Sequence, residues 1–462
     1  MSALPVIEED VAEGAALIMP GRNGASETSP AVPQSRLTKG NRKFAVYPAS
    51  AGFDIFDDLD PVTDFTVEPN IFFAPRFCVP AMPRLDERQV YLMVLQDRDQ
   101  RDANTRFMMP YTIEKPGFRI GPDLIRAWSS PFGPYGAPLV ERRESAQIID
   151  DLMQTLALPG IPLPKILALP DVFADSPVVS LFRSVALSNG LPMASTRPVR
   201  RPVLDATGDA DDYLKRTVSG HHRRNMARLW RNLDAMGGLS FDIARNREAV
   251  RIAMEEFLLL ENAGWKGRQR TSLAADRYRA AFAREAVNGL ADRDRCRIHQ
   301  LKLGERVIAS LIVFVDAGRA WTWKTTFDET LSRFSPGTLL MQRATEALID
   351  DPNITSADSC APEDHPVMSR LWHERRDLFT LVIGLEQGRD REVRQAAAQI
   401  ELYKSTRTTA GTCGAGSTAS WHAADGLTRR ENGGGSPCPT RSAGSRPRSG
   451  SRADIDARTG AP

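Results

Sequence analysis

Residues 245–385 predict a mixed α/β fold, an α+β sheet in which an antiparallel meander passes into a parallel strand–helix–strand unit. Three observations carry the prediction. First, "IHQLKL", "RVIASLIVFV" and "AWTWKTTF" are rich in β-branched and aromatic residues and are separated only by "GE" (304–305) and "DAG" (316–318). Strands joined by turns that short pair antiparallel. Second, "SPGTLLMQRATEALIDD" (335–351) reads as an amphipathic helix that follows the third strand. Third, a short strand near 355–359 follows, then a helix around 365–375 and a last strand, "LFTLVIG". Two strands of one sheet linked by a helix run parallel, with a right-handed crossover. The sheet is therefore expected to change from antiparallel to parallel between 320–327 and 355–359.

The preceding elements fit the same domain. "VRIAMEEFLLLENAGW" places apolar residues at 250, 253, 254, 257 and 258, one helical face. A second helix near 274–287 gathers Ala275, Tyr278, Phe282 and Ala286 on one side. The first half of the chain repeats this order more loosely. "VYLMVLQ" and "RFMMPYTI" read as strands, and "SSPFGPYGAPLVERRESAQIIDDLMQTL" passes through Pro and Gly into a helix. "KILALP" and a helix near 175–189 follow. "SPFGPYG" and "SPG", each opening onto a helix, suggest a duplication. The expected division is a segment 1–40 without order, a degenerate domain 41–204, a catalytic domain 205–400 and an unordered tail 401–462.

The ends of the chain rest on composition. Residues 1–40 are rich in Ser, Pro, Gly and Ala without periodicity. From Ser405 to Pro462 the only branched aliphatic residues are Leu427 and Ile455, and lysine is absent. Such segments bury too little apolar surface to offset their ordering entropy. A natural Arg/Gly/Ser tail and a GC-rich gene read out of frame would both look like this.

Bulk properties exclude several classes. Of the 462 residues 42% are apolar and 26% charged, an ordinary globular profile, and a net charge of +2 argues against a general polyanion binder. The five cysteines are scattered, with no Cys-x-x-Cys pair, so neither a disulfide framework nor a metal site is expected. The start, "MSALPVIEED", is acidic where a signal peptide is basic, and "VIASLIVFV" (307–315) is too short to span a bilayer. A cytoplasmic protein without a transmembrane segment is the expectation.

Ligands bind beyond the carboxyl ends of strands where sheet order changes. The helix beginning at Ser335–Gly337 points into that place. Ser335 can act as N-cap, Pro336 suits the first helical position, and Gly337 and Thr338 then offer N–H groups at the positive end of the helix dipole. Glycine costs a helix roughly 1 kcal/mol relative to alanine, and a bare position 337 would let a phosphate approach the backbone. A plain capped helix with a tolerated glycine has the same sequence; the strand order separates the two.

The order of elements over 245–385 resembles the GNAT acyltransferase superfamily. "WKGR" (265–268), "AWTWKTTFDETLSRFSPGTLL" (320–340) and "DSCAPEDHPVMSRLW" (358–372) resemble its CelD-type branch, associated with cellulose and exopolysaccharide gene clusters. Members of that branch are similar to the FemAB aminoacyl transferases in having two GNAT-like domains. The resemblance spans roughly 45–400 and is strong only in the second half. It implies two tandem GNAT-like domains and acetyl-CoA or another acyl-CoA as co-substrate, held by Ser335, Pro336, Gly337, Thr338, Leu339 and Leu340. The usual GNAT phosphate loop carries a Gln or Arg and two glycines, whereas "SPG" has one.

Acyl transfer to an amine or hydroxyl needs a base and donors that polarise the thioester carbonyl. Asp358, at the carboxyl end of the strand after the helix, is the first candidate for a base or substrate anchor, followed by Lys324 and Glu261. Of Glu363, Asp364 and His365, Asp364 is expected to cap the next helix. Trp265 and Lys266 lie where GNAT-like folds hold the acceptor, and Trp323 is a possible platform, although both strand tryptophans also suit a core. "YLKRTVSGHHRRNMARLWRNL" (213–233) carries six Lys/Arg and no acid. It suits an exposed face between domains, CoA phosphates, an anionic polysaccharide or RNA. RNA would be required only by the alternative activity, an aminoacyl-tRNA-dependent transferase. A third reading is a non-catalytic partner of a polysaccharide synthase.

Overall fold

The computed structural model describes residues 36–37, 42–97 and 104–413, and most of the two expected terminal segments lies outside these. Among the described residues fifteen strands form one sheet. They are β1 (Arg36–Leu37), β2 (Lys43–Pro48), β3 (Tyr91–Gln96), β4 (Thr105–Glu114), β5 (Leu124–Ala127), β6 (Leu139–Val140), β7 (Ile166–Phe173), β8 (Met193–Ser195) and β9 (Val199–Asp205), then β10 (Leu239–Ala244), β11 (Cys296–Leu303), β12 (Arg306–Asp316), β13 (Arg319–Phe327), β14 (Ser356–Asp358) and β15 (Glu374–Gly384). Their order is β1-β2-β3-β4-β5-β7-β15-β9-β14-β13-β12-β11-β10, with β6 on β4 and β8 on β15.

The meander β10-β11-β12-β13 is antiparallel, as the two short turns require, and β13 pairs parallel with β14. The first part of the chain repeats the scheme. Strands β2 to β5 are antiparallel, and β5 pairs parallel with β7. Each parallel pair is then extended by a strand from the other part. Strand β15 adds antiparallel to β7, β9 adds antiparallel to β14, and β15 and β9 pair with each other at the centre. Exchange of these strands makes the sheet continuous.

Among the described residues twelve α-helices flank it: α1 (Phe56–Leu59), α2 (Pro75–Leu85), α3 (Ser145–Ala157), α4 (Pro177–Ser188), α5 (Ala210–Thr217), α6 (Gly220–Asp234), α7 (Arg247–Ala263), α8 (Trp265–Arg268), α9 (Arg277–Ala291), α10 (Pro336–Ile349), α11 (Met368–Leu371) and α12 (Asp390–Cys413). Three differences from the sequence reading have local causes. Helix α12 runs to Cys413, so residues 401–413 are helical and not part of an unordered tail. The helix expected around 365–375 is a single turn, because the long strand β15 already begins at Glu374. The basic stretch 213–233 is two helices, broken at Val218–Ser219, where Ser219 caps α6 by accepting from the His222 N–H.

One core face runs under both parts of the sheet. Helix α2 packs on α9, with Phe77 edge-on to Phe282, Phe314 and Trp323 at 5.2–5.9 Å. Buried Glu68 adds a polar tie, accepting from Tyr135 Oη at 2.6 Å and from Arg319 Nη1 at 3.1 Å. The opposite face of β11–β14 is covered by α5, α6 and α10 through Leu214, Met226, Leu233, Leu340, Ala344 and Leu348.

Candidate active site

The parallel pair β13–β14 is short. Its last matched residues are Trp321 and Asp358. Beyond them β13 continues to Phe327, while the other chain turns away through Cys360, whose φ is +51°. Thr322 Oγ1 donates to the Ser359 carbonyl at 2.9 Å and closes the apex. The widening gap is a cavity of about 600 Å³, walled by β13, the start of α10, the α7–α8 corner and the 359–368 segment. A register shift deepens it: Val313 faces Thr322 and Ile312 faces Lys324, which leaves Trp323 as the extra residue of a bulge.

Helix α10 opens onto this cavity, but not as a simple capped helix. A 3₁₀ turn, Glu329–Phe334, runs directly into it, and the joint is Ser335 at φ 51°. In that left-handed conformation the Ser335 side chain makes no capping bond, contrary to the expected N-cap. Its carbonyl instead accepts from the N–H groups of Thr338 (3.0 Å) and Leu339 (3.1 Å). The Thr338 N–H is therefore occupied, and Pro336 has none. Gly337 is the one residue at the start of the helix whose N–H is left by the fold for a ligand. A Cβ on Gly337 would also sit 3.1 Å from the Phe327 ring, so packing alone favours glycine there.

Of the six residues expected to hold the cofactor, Ser335, Gly337 and Thr338 line the cavity. Pro336, Leu339 and Leu340 do not line it and are buried, the two leucines in the core beneath α10.

The other candidates divide similarly. Glu261, Trp265, Lys266, Trp323 and Lys324 all line the cavity, whereas Asp358 does not. Asp358 is buried, with Oδ2 3.2 Å from Arg201 Nη1 and Oδ1 accepting the Cys360 N–H at 2.8 Å. Glu261 has both oxygens engaged, with Lys266 Nζ at 2.9 Å and the Leu273 N–H at 2.8 Å. Lys266 also donates to the Thr325 carbonyl at 3.0 Å, tying the α7–α8 corner to β13. The Trp323 indole N–H is committed to the Phe132 carbonyl at 2.7 Å, and its ring is packed among aromatics. Lys324 is half-buried, its ammonium 4.4 Å from the Phe132 ring centroid. Trp265 is half-buried at the wall, and its N–H donates to Glu329 at 2.5 Å.

His365 and Cys360 are among the lining residues not foreseen as site residues. His365, and not Asp364, caps α11: its Nδ1 accepts from the Val367 (3.1 Å) and Met368 (3.0 Å) N–H groups. Burial lowers its pKa to about 4. The ring is thus neutral near pH 7, and with Nδ1 accepting, its proton sits on Nε2. Cys360 also lines the cavity, with a thiol that burial holds well above its ordinary pKa, so it is not a ready nucleophile. The signal for His365 was its position just before a short helix, but Asp364 offered the commoner cap. From the first part of the chain Pro131 reaches the same wall.

Residues 220–365 match the family described as acetyltransferase (GNAT) domain. The matched segment holds α6 to α10, β10 to β14 and most of the cavity wall, and it marks an acyltransferase domain. No curated protein matches the chain in sequence. Among solved structures, the C-terminal domain of a candidate lysylphosphatidylglycerol synthetase from Agrobacterium fabrum aligns at TM-score 0.44 and 11% identity, over 76% of this chain and 96% of that one. FemX aligns at 0.45 and 8%, over 73% and 97%. A tandem GNAT protein from the clavulanic acid pathway aligns at 0.36 and 13%, over 74% and 98%. Among the described residues no helix is long and apolar enough to cross a membrane, and no cluster of His, Cys, Asp and Glu is placed to hold a metal ion.

Proposed function

We propose that the protein transfers an acyl group, acetyl in the first instance, from acyl-CoA to an amine or hydroxyl acceptor in the cavity between β13 and β14. The single observation that carries this reading is the cavity's position. It opens where a parallel pair comes apart, and it is lined by Gly337 in the first turn of α10. A thioester arm entering the gap would run along the free edge of β13. There its carbonyl can accept hydrogen bonds from backbone N–H groups that no neighbouring strand uses.

The acceptor's nitrogen or oxygen attacks the thioester carbonyl, the C–N or C–O bond forms, and the C–S bond breaks. The acceptor's proton passes to the departing sulfur, so a thiol leaves. Neutral His365, with Nδ1 occupied, does not serve as the base. Asp358 acts through the geometry of β14, and Glu261 with Lys266 through the α7–α8 corner. Acceleration then rests chiefly on holding two substrates in register.

The division into a degenerate domain 41–204 and a catalytic domain 205–400, cytoplasmic action, and an acceptor related to polysaccharide precursors belong to the same proposal. The likeness of "WKGR" and "DSCAPEDHPVMSRLW" to the CelD-type branch supports the last. Calorimetry and thermal shift with acetyl-CoA, longer acyl-CoAs and free CoA test the reading. Saturable binding with a raised Tm is expected. No response to any of them, with salt-sensitive binding of aminoacyl-tRNA, would favour the aminoacyl-tRNA-dependent alternative. Silence toward both would favour a non-catalytic partner of a polysaccharide synthase.

A further inference from the structure

Helix α6 carries four arginines, Arg223, Arg224, Arg228 and Arg231, and none is ion-paired among the described residues. This is unusual in a chain whose other arginines are mostly matched to carboxylates. Nothing in acyl transfer at the cavity uses them. Arg224, Arg228 and Arg231 are exposed and follow i, i+4, i+7 spacing, so they form one stripe. The stripe is about 10 Å long at 1.5 Å per residue. The opposite side of α6, Met226, Leu229 and Leu233, is buried.

That buried side seats α6 on the 3₁₀ turn at the cavity wall. It shares a core with Leu331 of the 3₁₀ turn, and Trp230 lies under the Arg343 guanidinium of α10 at 4.4 Å. The same turn contributes Glu329 and Ser332 to the cavity wall. Arg333 adds a further cation, stacked on Phe334 at 4.6 Å. The adjacent helix start leaves one N–H, that of Gly337, to meet a single phosphate, since Pro336 lacks an N–H and Thr338's is taken.

We propose that the cationic face of α6 docks an acidic carrier protein that presents the acyl thioester on a phosphopantetheine arm, which rests on the acyl-transfer reading above. The arm supplies the same thioester as acyl-CoA but joins it to its carrier by one phosphodiester, with no nucleotide to hold. The binding energy for anchoring then comes from the protein surface, where three arginines in one helical stripe match the acidic face of a partner helix. RNA fits less well. The rings next to the stripe, Trp230 and Phe334, are each covered by a guanidinium and are not open for base stacking. The step balances as before: the acceptor's bond to the acyl carbon forms, the C–S bond to the arm breaks, and the carrier's thiol leaves with the acceptor's proton.

The test uses the full chain, its charge-reversed variant R224E/R228E/R231E, and the single variant R228E should the triple one unfold. Probes are the carrier protein of bacterial fatty-acid synthesis loaded with acetyl-phosphopantetheine, acetyl-CoA, and acetyl-pantetheine. Calorimetry is expected to show carrier binding that weakens at least 10-fold in the triple variant and falls steeply between 50 and 200 mM salt. Transfer from the carrier should lose at least 10-fold in kcat/KM, while transfer from acetyl-pantetheine stays unchanged. No carrier binding overturns the proposal. So does an equal loss with acetyl-CoA, which would make the stripe a nucleotide-phosphate site, and so does a loss confined to RNA binding. Because docking is read without turnover, failure of transfer from every donor would strike the acyl-transfer reading and leave the docking result to stand by itself.

Discussion

Arg201 on β9 holds Asp358 on β14 at 3.2 Å, and so a side chain from the exchanged strand fixes the point at which β14 parts from β13. Arg201 also donates to the Pro134 carbonyl at 3.2 Å, and nearby acids hold its guanidinium pKa above the ordinary value despite burial. Removing one partner of a buried pair leaves the other uncompensated, typically at a cost of about 3–5 kcal/mol. Arg201→Met and Asp358→Ala should therefore lower Tm and activity together. The double variant should recover part of the stability. A large loss of kcat in Asp358→Asn with unchanged Tm would instead make Asp358 the base.

Gly337 and Phe327 form the second coupled pair. A methyl at 337 meets the Phe327 ring at 3.1 Å and narrows the approach to the Gly337 N–H. Gly337→Val should weaken acyl-CoA binding at least 10-fold and destabilise the protein by about 1–3 kcal/mol. Combining Gly337→Ala with Phe327→Leu should restore Tm, and calorimetry on that variant separates packing from ligand approach. Full recovery of affinity would mean that the glycine serves packing alone.

The Glu261–Lys266 pair, 2.9 Å apart and buried at the cavity wall, gives a third expectation. Lys266→Met strands the Glu261 carboxylate and should cost about 3–5 kcal/mol in denaturant unfolding. Lys266→Met with Glu261→Gln should be milder than Lys266→Met alone. If Glu261 were the base, Glu261→Gln would abolish turnover while leaving unfolding unchanged.

His299 on β11 supplies a pH dependence remote from the site. Among the described residues neither buried ring nitrogen has a hydrogen-bond partner, Phe241 lies edge-on at 5.7 Å, and burial, then Arg297, lowers the pKa to about 3. The unfolded chain, with an ordinary pKa near 6.5, binds the proton first. Stability is then present in full above about pH 6.5 and declines as pH falls toward 3, by about 2 kcal/mol at pH 5. His299→Phe should remove that part of the decline, as urea unfolding at pH 7.5 and 5 would show. An unchanged difference between the two pH values would contradict it.

The meander was legible because "GE" and "DAG" leave no room for a crossover, and the parallel step because a helix of fourteen residues, Pro336–Ile349, separates its two strands. The details that shape the cavity were not. The left-handed Ser335 arises from a 3₁₀ turn running into α10, and no residue in "RFSPG" marks it, since serine rarely adopts that conformation. The bulge at Trp323 depends on strand register rather than on composition. Asp358 stood at the correct strand end, but its partner, Arg201, lies 157 residues away. Strand exchange brought the two together. Helix α2 was not predicted; it holds Pro80 and Pro83 in its interior and begins with Pro75 at the favoured first position.

The most direct test of the central claim is a crystal structure of the full chain with a thioether analogue of acetyl-CoA. The account predicts the pantetheine arm along the free edge of β13 beyond Trp321, with its phosphate against the Gly337 N–H. An arm seated elsewhere, or a cavity that stays closed while the analogue binds, would contradict it.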